Sequence, residues 1–112
     1  MTLDFDGNMF QPFVIHDDWE IDGYVEIPEK ESFPLGDELW YKIENWRTEY
    51  APFTSMTLDE LEPNLIKTDE LDTKAIALLK EIASKTFLID NRITRLRYFS
   101  LCRNKFIFEI NK

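Results

Sequence analysis

The stretch 70-ELDTKAIALLKEIASKT-86 decides how the rest of the chain can fold. Its apolar residues recur every three or four positions, so they would share one side of an α-helix, with charged and hydroxyl side chains on the other. Acids at Asp69, Glu70 and Asp72 and a base at Lys85 would complement the helix dipole, each by about 0.3–1 kcal/mol. The pattern predicts an amphipathic helix over 70–86, packed on a core through the stripe Leu71, Ala75, Leu78, Leu79, Ile82 and Ala83.

Strands are predicted towards both ends of the chain. Residues 10–16 are apolar and β-prone, with Pro12 confining them to an edge strand or a strand start. Residues 19–27 alternate apolar and acidic side chains, which indicates a half-buried strand with an acidic outer face. Alternation over 106–110 predicts a closing strand after a turn at 103–104.

Two segments are ambiguous between helix and strand. Over residues 38–50, Leu39, Ile43, Trp46 and Tyr50 follow helical spacing, but Leu39, Tyr41 and Ile43 also alternate with their neighbours. The aromatic content favours a strand over 38–47, and Ala51-Pro52 ends the segment in either case. Residues 90–101 fit either structure, and both readings stay open.

Residues 57–66 predict a short helix. Thr57 with Glu60 forms a capping-box pattern, and Pro63 would interrupt the helix. With the other elements this gives an α+β fold: a small single domain over 1–112, with an antiparallel sheet and one or two helices packed on one face.

Composition excludes several classes of protein. With 44% hydrophobic and 14% aromatic residues, the chain can bury a core and is not a disordered acidic tail. Cys102 is the only cysteine, so no intramolecular disulfide can form. The start lacks a basic signal-peptide region, and no apolar run reaches membrane-spanning length. We therefore expect a cytoplasmic protein without membrane contact.

The charge is divided along the chain. Residues 1–72 hold 19 acids and 4 bases, whereas residues 73–112 hold 3 acids and 9 bases. At a net charge of −9 the molecule should repel nucleic acid. The acids form two clusters, at 17–31 and 59–72, which would speed encounter with a cationic protein. The arginines after residue 90 are expected to lie against the chain's own acids, within one chain or across a dimer.

Metal binding and catalysis find little support in the sequence. Six residues match an EF-hand calcium loop in spacing, but Pro28 and the strand-like alternation argue against that loop, so we expect no metal. His16 has no partner for zinc or triad chemistry, and the isolated glycines cannot form a phosphate loop, so we expect no cofactor and no enzyme activity. The EF-hand-like positions are Asp18, Glu20, Asp22, Gly23, Glu26 and Glu29.

The candidate site is therefore a surface that binds a partner protein. Aromatic side chains dominate interface hot spots, and Tyr24 and Tyr41, placed opposite apolar strand faces, are the expected exposed anchors. The predicted partner-binding residues are Asp17, Asp18, Glu20, Asp22, Tyr24, Glu26, Tyr41, Asp59, Glu60 and Glu62.

In kind, the chain resembles the immunity proteins that bacteria pair with secreted nuclease toxins, which are small, acidic, cytoplasmic and α+β. The stretch Trp19-Glu20-Ile21-Asp22-Gly23-Tyr24-Val25-Glu26-Ile27-Pro28, with the helix at 73–84, also resembles small uncharacterised bacterial domains. The resemblance implies an inhibitor that occludes the basic active site or nucleic-acid-binding face of a cognate toxin. The alternatives are a self-associating protein, whose basic end docks on a neighbour's acidic end, and a phage-type nucleic-acid mimic.

Overall fold

The computed structural model describes residues 1–6, 13–16, 25–26, 35–89 and 91–112. The predicted strand over 19–27 lies outside these residues except at 25–26, and so does the start of the predicted strand over 10–16. The calcium-like loop falls almost wholly outside them.

Helix α1 spans Asp37–Thr54, so the predicted strand over 38–47 is wrong. The segment keeps helical spacing through five buried side chains, and this long stripe prevails over the short alternation. Tyr41 belonged to that alternation, and it is exposed on the helix. The predicted end at Ala51-Pro52 is also wrong. Proline there forfeits only one backbone bond, two residues before the helix stops. The buried stripe is Leu39, Trp40, Ile43, Trp46 and Tyr50.

The predicted short helix is confirmed as α2, Leu58–Leu61. Thr57 Oγ1 accepts a hydrogen bond from the Glu60 backbone N–H at 3.3 Å and donates one to the Glu60 carboxylate at 3.1 Å. A 3₁₀ turn, Glu62–Asn64, accommodates Pro63 near its start, where the missing N–H costs least. The backbone keeps right-handed helical dihedral angles where the 3₁₀ turn joins α3.

Helix α3 spans Leu65–Ile89 and confirms the helix predicted over 70–86, with five more residues before it and three after. Because it starts at Leu65, the acids Asp69, Glu70 and Asp72 lie beyond its first turn. The predicted role of these acids in the helix dipole is therefore wrong, since the dipole effect fades within one turn.

Strands of the described chain form one sheet in the order β3-β2-β1-β4-β5. The sheet is mixed, which corrects the predicted antiparallel sheet: β1 and β4 run parallel, with Leu3 opposite Leu96, and the other neighbours are antiparallel. A parallel pair needs a crossover, and the helices between β1 and β4 supply it. The strands are β1 Thr2–Phe5, β2 Phe13–His16, β3 Val25–Glu26, β4 Arg95–Ser100 and β5 Lys105–Asn111.

Strand β4 settles the ambiguity over 90–101 in favour of a strand, and β5 confirms the closing strand. A turn over 101–104 joins them, with Asn104 in the left-handed region at φ 54°. Asparagine tolerates that conformation better than most residues. The predicted turn at Arg103-Asn104 is confirmed.

The core lies between the sheet and the two long helices, α1 and α3. Trp46 is its centre: its ring lies 5.1 Å from Phe5, 5.0 Å from Tyr50 and 6.0 Å from Tyr98. Its indole N–H donates to the Leu71 carbonyl at 2.8 Å. An α+β fold with helices on one face of a sheet is confirmed. Across the described ranges, no helix combines the length and apolar character needed to cross a membrane.

Candidate functional site

A buried carboxylate joins the helical layer to the sheet. Asp72 on α3 is only 3% exposed, and it accepts hydrogen bonds from Tyr98 Oη at 2.7 Å and Ser100 Oγ at 3.1 Å. Arg103 Nε lies 3.4 Å from the same carboxylate. The hydroxyls face Asp72 because Tyr98 and Ser100 alternate with outward-facing residues along β4. This cluster fixes the first half of α3 against the sheet.

Burial sets the acidity of this cluster. Loss of water raises the pKa of the Asp72 carboxyl above its ordinary value near 3.8, while the hydroxyl bonds from Tyr98 and Ser100 oppose the rise. Tyr50 Oη lies 3.5 Å from Ser100 Oγ and accepts a hydrogen bond from the Cys102 backbone N–H at 3.1 Å, so both residues adjoin the cluster. Burial raises the pKa of Tyr50 to about 12 and that of the Cys102 thiol above its ordinary value. A thiol held protonated is a poor nucleophile. The cluster has the character of a structural network.

Arginines of the basic C-terminal segment pair with acids of the same chain. Arg97 forms a two-pronged bond to Asp4, with distances of 2.7 and 2.8 Å, on the sheet face away from the helices. Arg103 binds Asp69 as well as Asp72. The expectation that these arginines lie against the chain's own acids therefore holds for Arg97 and Arg103, within one molecule.

Where α2 meets α3, apolar and acidic side chains alternate on the surface. We call this the elbow surface and define it by Leu58, Asp59, Glu62, Leu65, Ile66 and Glu70. Leu58 is 83% exposed, Ile66 79% and Leu65 54%. Exposed large aliphatic side chains at this density mark interaction sites more often than a single exposed leucine does.

Acids surround the apolar side chains of the elbow surface. Glu70 follows Ile66 by one helical turn, so their side chains are neighbours on α3. Ile66 and Glu70 also line a shallow depression with Asp69, Thr73 and Lys74. Asp59, Glu62 and Glu70 are exposed, and no ion pair to them is present in the described part of the chain. Their charge therefore faces solvent.

The structure separates the predicted partner-binding residues. Asp59 and Glu62 lie on the elbow surface, and Glu60 beside them is tied to Thr57 as the cap of α2. Tyr41 is 72% exposed on α1 but lies far from the elbow.

Helices α1 and α3 pack antiparallel, and this arrangement separates Tyr41 from the elbow surface. Lys42 of α1 meets Glu81 of α3 at 3.3 Å, and Glu49 meets Lys74 at 3.3 Å. Tyr41 is therefore level with Glu81, some fifteen residues or about 22 Å along α3 from Ile66. It cannot share one small contact with the elbow.

Of the remaining predicted site residues, only Glu26 lies among the described residues. Glu26 lies in β3, opposite Ile15 of β2 in backbone register. Asp17, Asp18, Glu20, Asp22 and Tyr24 lie outside the described residues. Among the residues that are described, no group of three or more His, Cys, Asp or Glu side chains is placed to hold a metal ion.

Sequence reasoning missed the apolar half of the elbow surface. Leu65 and Ile66 follow Leu58 by seven and eight positions, which is helical spacing, but they precede the stripe that begins at Leu71. Such residues could have been found by asking which apolar side chains the stripe leaves on the outside.

A comparison with protein-family models, curated proteins and solved structures finds no match to this chain.

Proposed function

We propose that this protein is an acidic inhibitor that binds a basic partner protein and covers a functional surface of it, as the immunity proteins it resembles in kind cover toxins. The partner would be a cognate toxin domain. The elbow surface makes the contact within the described part of the chain. The carboxylates there stand in for the phosphates that such a toxin binds.

One observation carries the proposal: the elbow surface exposes carboxylates and aliphatic side chains together. Several other acids of the described chain are paired within the molecule, as Asp4 is with Arg97 and Asp69 with Arg103. Among the described residues, no ion pair to Asp59, Glu62 or Glu70 is present. Unneutralised charge beside exposed apolar surface favours a partner that supplies both cations and an apolar contact.

Each component would have its own kinetic effect. Exposed carboxylates attract a cationic protein over a distance of about one Debye length, which is about 8 Å at physiological salt. They therefore mainly accelerate association. Apolar side chains act once the surfaces touch, and they mainly slow dissociation. Occlusion needs both, because an inhibitor must arrive quickly and remain bound.

The test uses the product of the neighbouring reading frame, expressed and purified with this chain. We expect a basic protein whose activity the chain inhibits, with an association rate that falls steeply as salt rises. Asp59→Asn, Glu62→Gln and Glu70→Gln together should slow association about tenfold at low salt.

A charge-matched control carries Glu38→Gln, Glu81→Gln and Glu109→Gln, which remove three acids away from the elbow. Glu81 and Glu109 form solvent-accessible ion pairs of small worth, with Lys42 and Arg95. The control should slow association far less than the elbow variant. An association rate that ignores both salt and the elbow acids would contradict the proposal.

A further inference from the structure

We infer that the elbow surface receives a short basic amphipathic helix of the partner, with Leu58, Leu65 and Ile66 as its apolar contact. The inference rests on the proposed function and names the structural element that would bind. It follows from the shape, the exposure and the charge of the elbow surface.

The elbow follows one helical path. Leu61, Glu62 and Leu65, at the junctions of α2, the 3₁₀ turn and α3, all have right-handed helical backbone angles. On such a path Leu65, seven positions after Leu58, lies on the same side, and Ile66 lies about 100° round the axis from Leu65. Leu58, Leu65 and Ile66 therefore form an apolar band, which we call the aliphatic line, about 12 Å long at 1.5 Å per residue.

The inner side of this path is already occupied. Leu61, Thr68 and Leu71 are buried, at 8%, 3% and 0% exposure. Leu58 and Ile66 are ten times as exposed as Leu61, although all three are aliphatic residues of similar size. Within the described part of the chain, packing therefore leaves the aliphatic line uncovered.

Charge restricts what can cover it. Residues 58–70 contain five acids and one base. The base, Lys67, points towards Glu49 of α1 at 3.9 Å, and Asp69 is bound to Arg103. The remaining acids, which have no such partner among the described residues, flank the aliphatic line. They would repel an acidic segment, and a purely polar segment would leave the aliphatic side chains exposed to water. The complementary segment is apolar along one line and basic along its sides.

A partner segment that is already an α-helix presents such a pattern with the smallest loss of backbone freedom on binding. Apolar residues at i, i+3, i+4 and i+7 of a helix form a stripe about 10 Å long, close to the length of the line from Leu58 to Ile66. The depression beside Ile66 and Glu70 gives one side chain of that helix a recess. Lysines on both flanks of the stripe would reach Asp59, Glu62 and Glu70.

The experiment titrates this protein with two synthetic 14-residue peptides made of leucine and lysine. One peptide places its leucines at i, i+3, i+4 and i+7, and the other has the same composition in scrambled order. Fluorescence anisotropy of a labelled peptide reports binding at several salt concentrations. We expect the ordered peptide to bind at least tenfold more tightly than the scrambled one.

Variants then locate the contact. Leu58→Ser with Ile66→Ser should reduce ordered-peptide binding at least tenfold without slowing association in proportion. Leu88→Ser is the matched control, because Leu88 is 85% exposed near the far end of α3. All three sites are exposed, so circular dichroism and the melting temperature should stay close to those of the wild type.

The outcomes separate the two proposals. Equal binding of both peptides, insensitive to the serine variants but lost with the elbow acids removed, overturns the helix inference and leaves the electrostatic function standing. Absence of binding by either peptide at low salt overturns both. Concentration-dependent self-association that the double serine variant abolishes also overturns the inference, because the occupant would then be a second copy of this chain.

Discussion

Replacement of Tyr98 by phenylalanine removes a single oxygen from the centre of the molecule. That oxygen donates to the Asp72 carboxylate at 2.7 Å, and neither residue is more than 3% exposed. A hydrogen bond to a charged group contributes about 1.5–3 kcal/mol. Ser100 and Arg103 remain near the carboxylate and replace part of the loss, so we expect the free energy of unfolding to fall by about 2 kcal/mol at a pH where Asp72 is ionised. At roughly 4 °C per kcal/mol the melting temperature should fall by about 8 °C.

The loss should depend on pH in a known direction. Burial raises the folded-state pKa of Asp72 above its unfolded value near 3.8, so the neutral acid is the form that the fold prefers. This contribution to stability is fully present below the unfolded pKa and is lost as pH rises through the folded pKa. The Tyr98 hydroxyl lowers the Asp72 pKa, which means that it holds the ionised form best. Tyr98→Phe should therefore cost about 1 kcal/mol well below the folded pKa, where the acid is neutral, and more above it.

Urea unfolding monitored by tryptophan fluorescence measures both quantities, because Trp46 packs against Tyr98. Tyr41→Phe is the matched control: it deletes the same oxygen from a ring that is 72% exposed. The control should change the free energy of unfolding by less than about 0.5 kcal/mol. If the two variants are equally stable, or if the cost of Tyr98→Phe is the same at every pH, the reasoning about Asp72 is refuted.

Three further predictions concern the local structure and the assembly state. Gly36→Ala should lower the free energy of unfolding in urea by about 1–3 kcal/mol, because Gly36 has φ 93°, a conformation strained for alanine. The new Cβ would meet only the flexible end of Lys85 at 3.4 Å, so the cost comes from the backbone, and an unchanged stability would contradict this reasoning. Thr57→Ala should cost about 1 kcal/mol through loss of the α2 cap, and a thermal melt that matches the wild type would show that the cap contributes nothing. Light scattering from low to high salt should show no basic-to-acidic chain assembly, since Arg97 already binds Asp4; a low-salt oligomer that salt dissolves would favour the self-association alternative.

Long periodic patterns in the sequence predicted the fold best. The stripe from Leu71 to Ala83 identified α3, and the Thr57–Glu60 pattern identified α2, because both signals depend on neighbours within one or two turns. The prediction for residues 38–47 was wrong because Leu39 and Ile43 satisfy both periods and the aromatic content was given the greater weight. The continuation of the helical stripe through Trp46 to Tyr50 was the better evidence.

Pairings between distant residues could not be predicted. Its charge does not distinguish Asp72 from the other acids near it, yet Asp72 turns inward to Tyr98 and Ser100. Its position in the apolar stripe, one residue after Leu71 and three before Ala75, was the available signal. The elbow surface was half predicted: its acids stood out by charge, whereas its aliphatic side chains were hidden among residues expected to be buried.

The parallel pairing of β1 with β4 has a consequence for how the protein folds during its synthesis. Leu3 and Leu96 are opposite each other in the sheet although 93 positions separate them in the chain. During synthesis β1 can pair with β2 early, but its other edge stays open until β4, at Arg95–Ser100, has been made. Long-range pairing of this kind slows folding, and an open strand edge is a template for aggregation. The nascent chain therefore depends on the late arrival of β4 to close the middle of its own sheet.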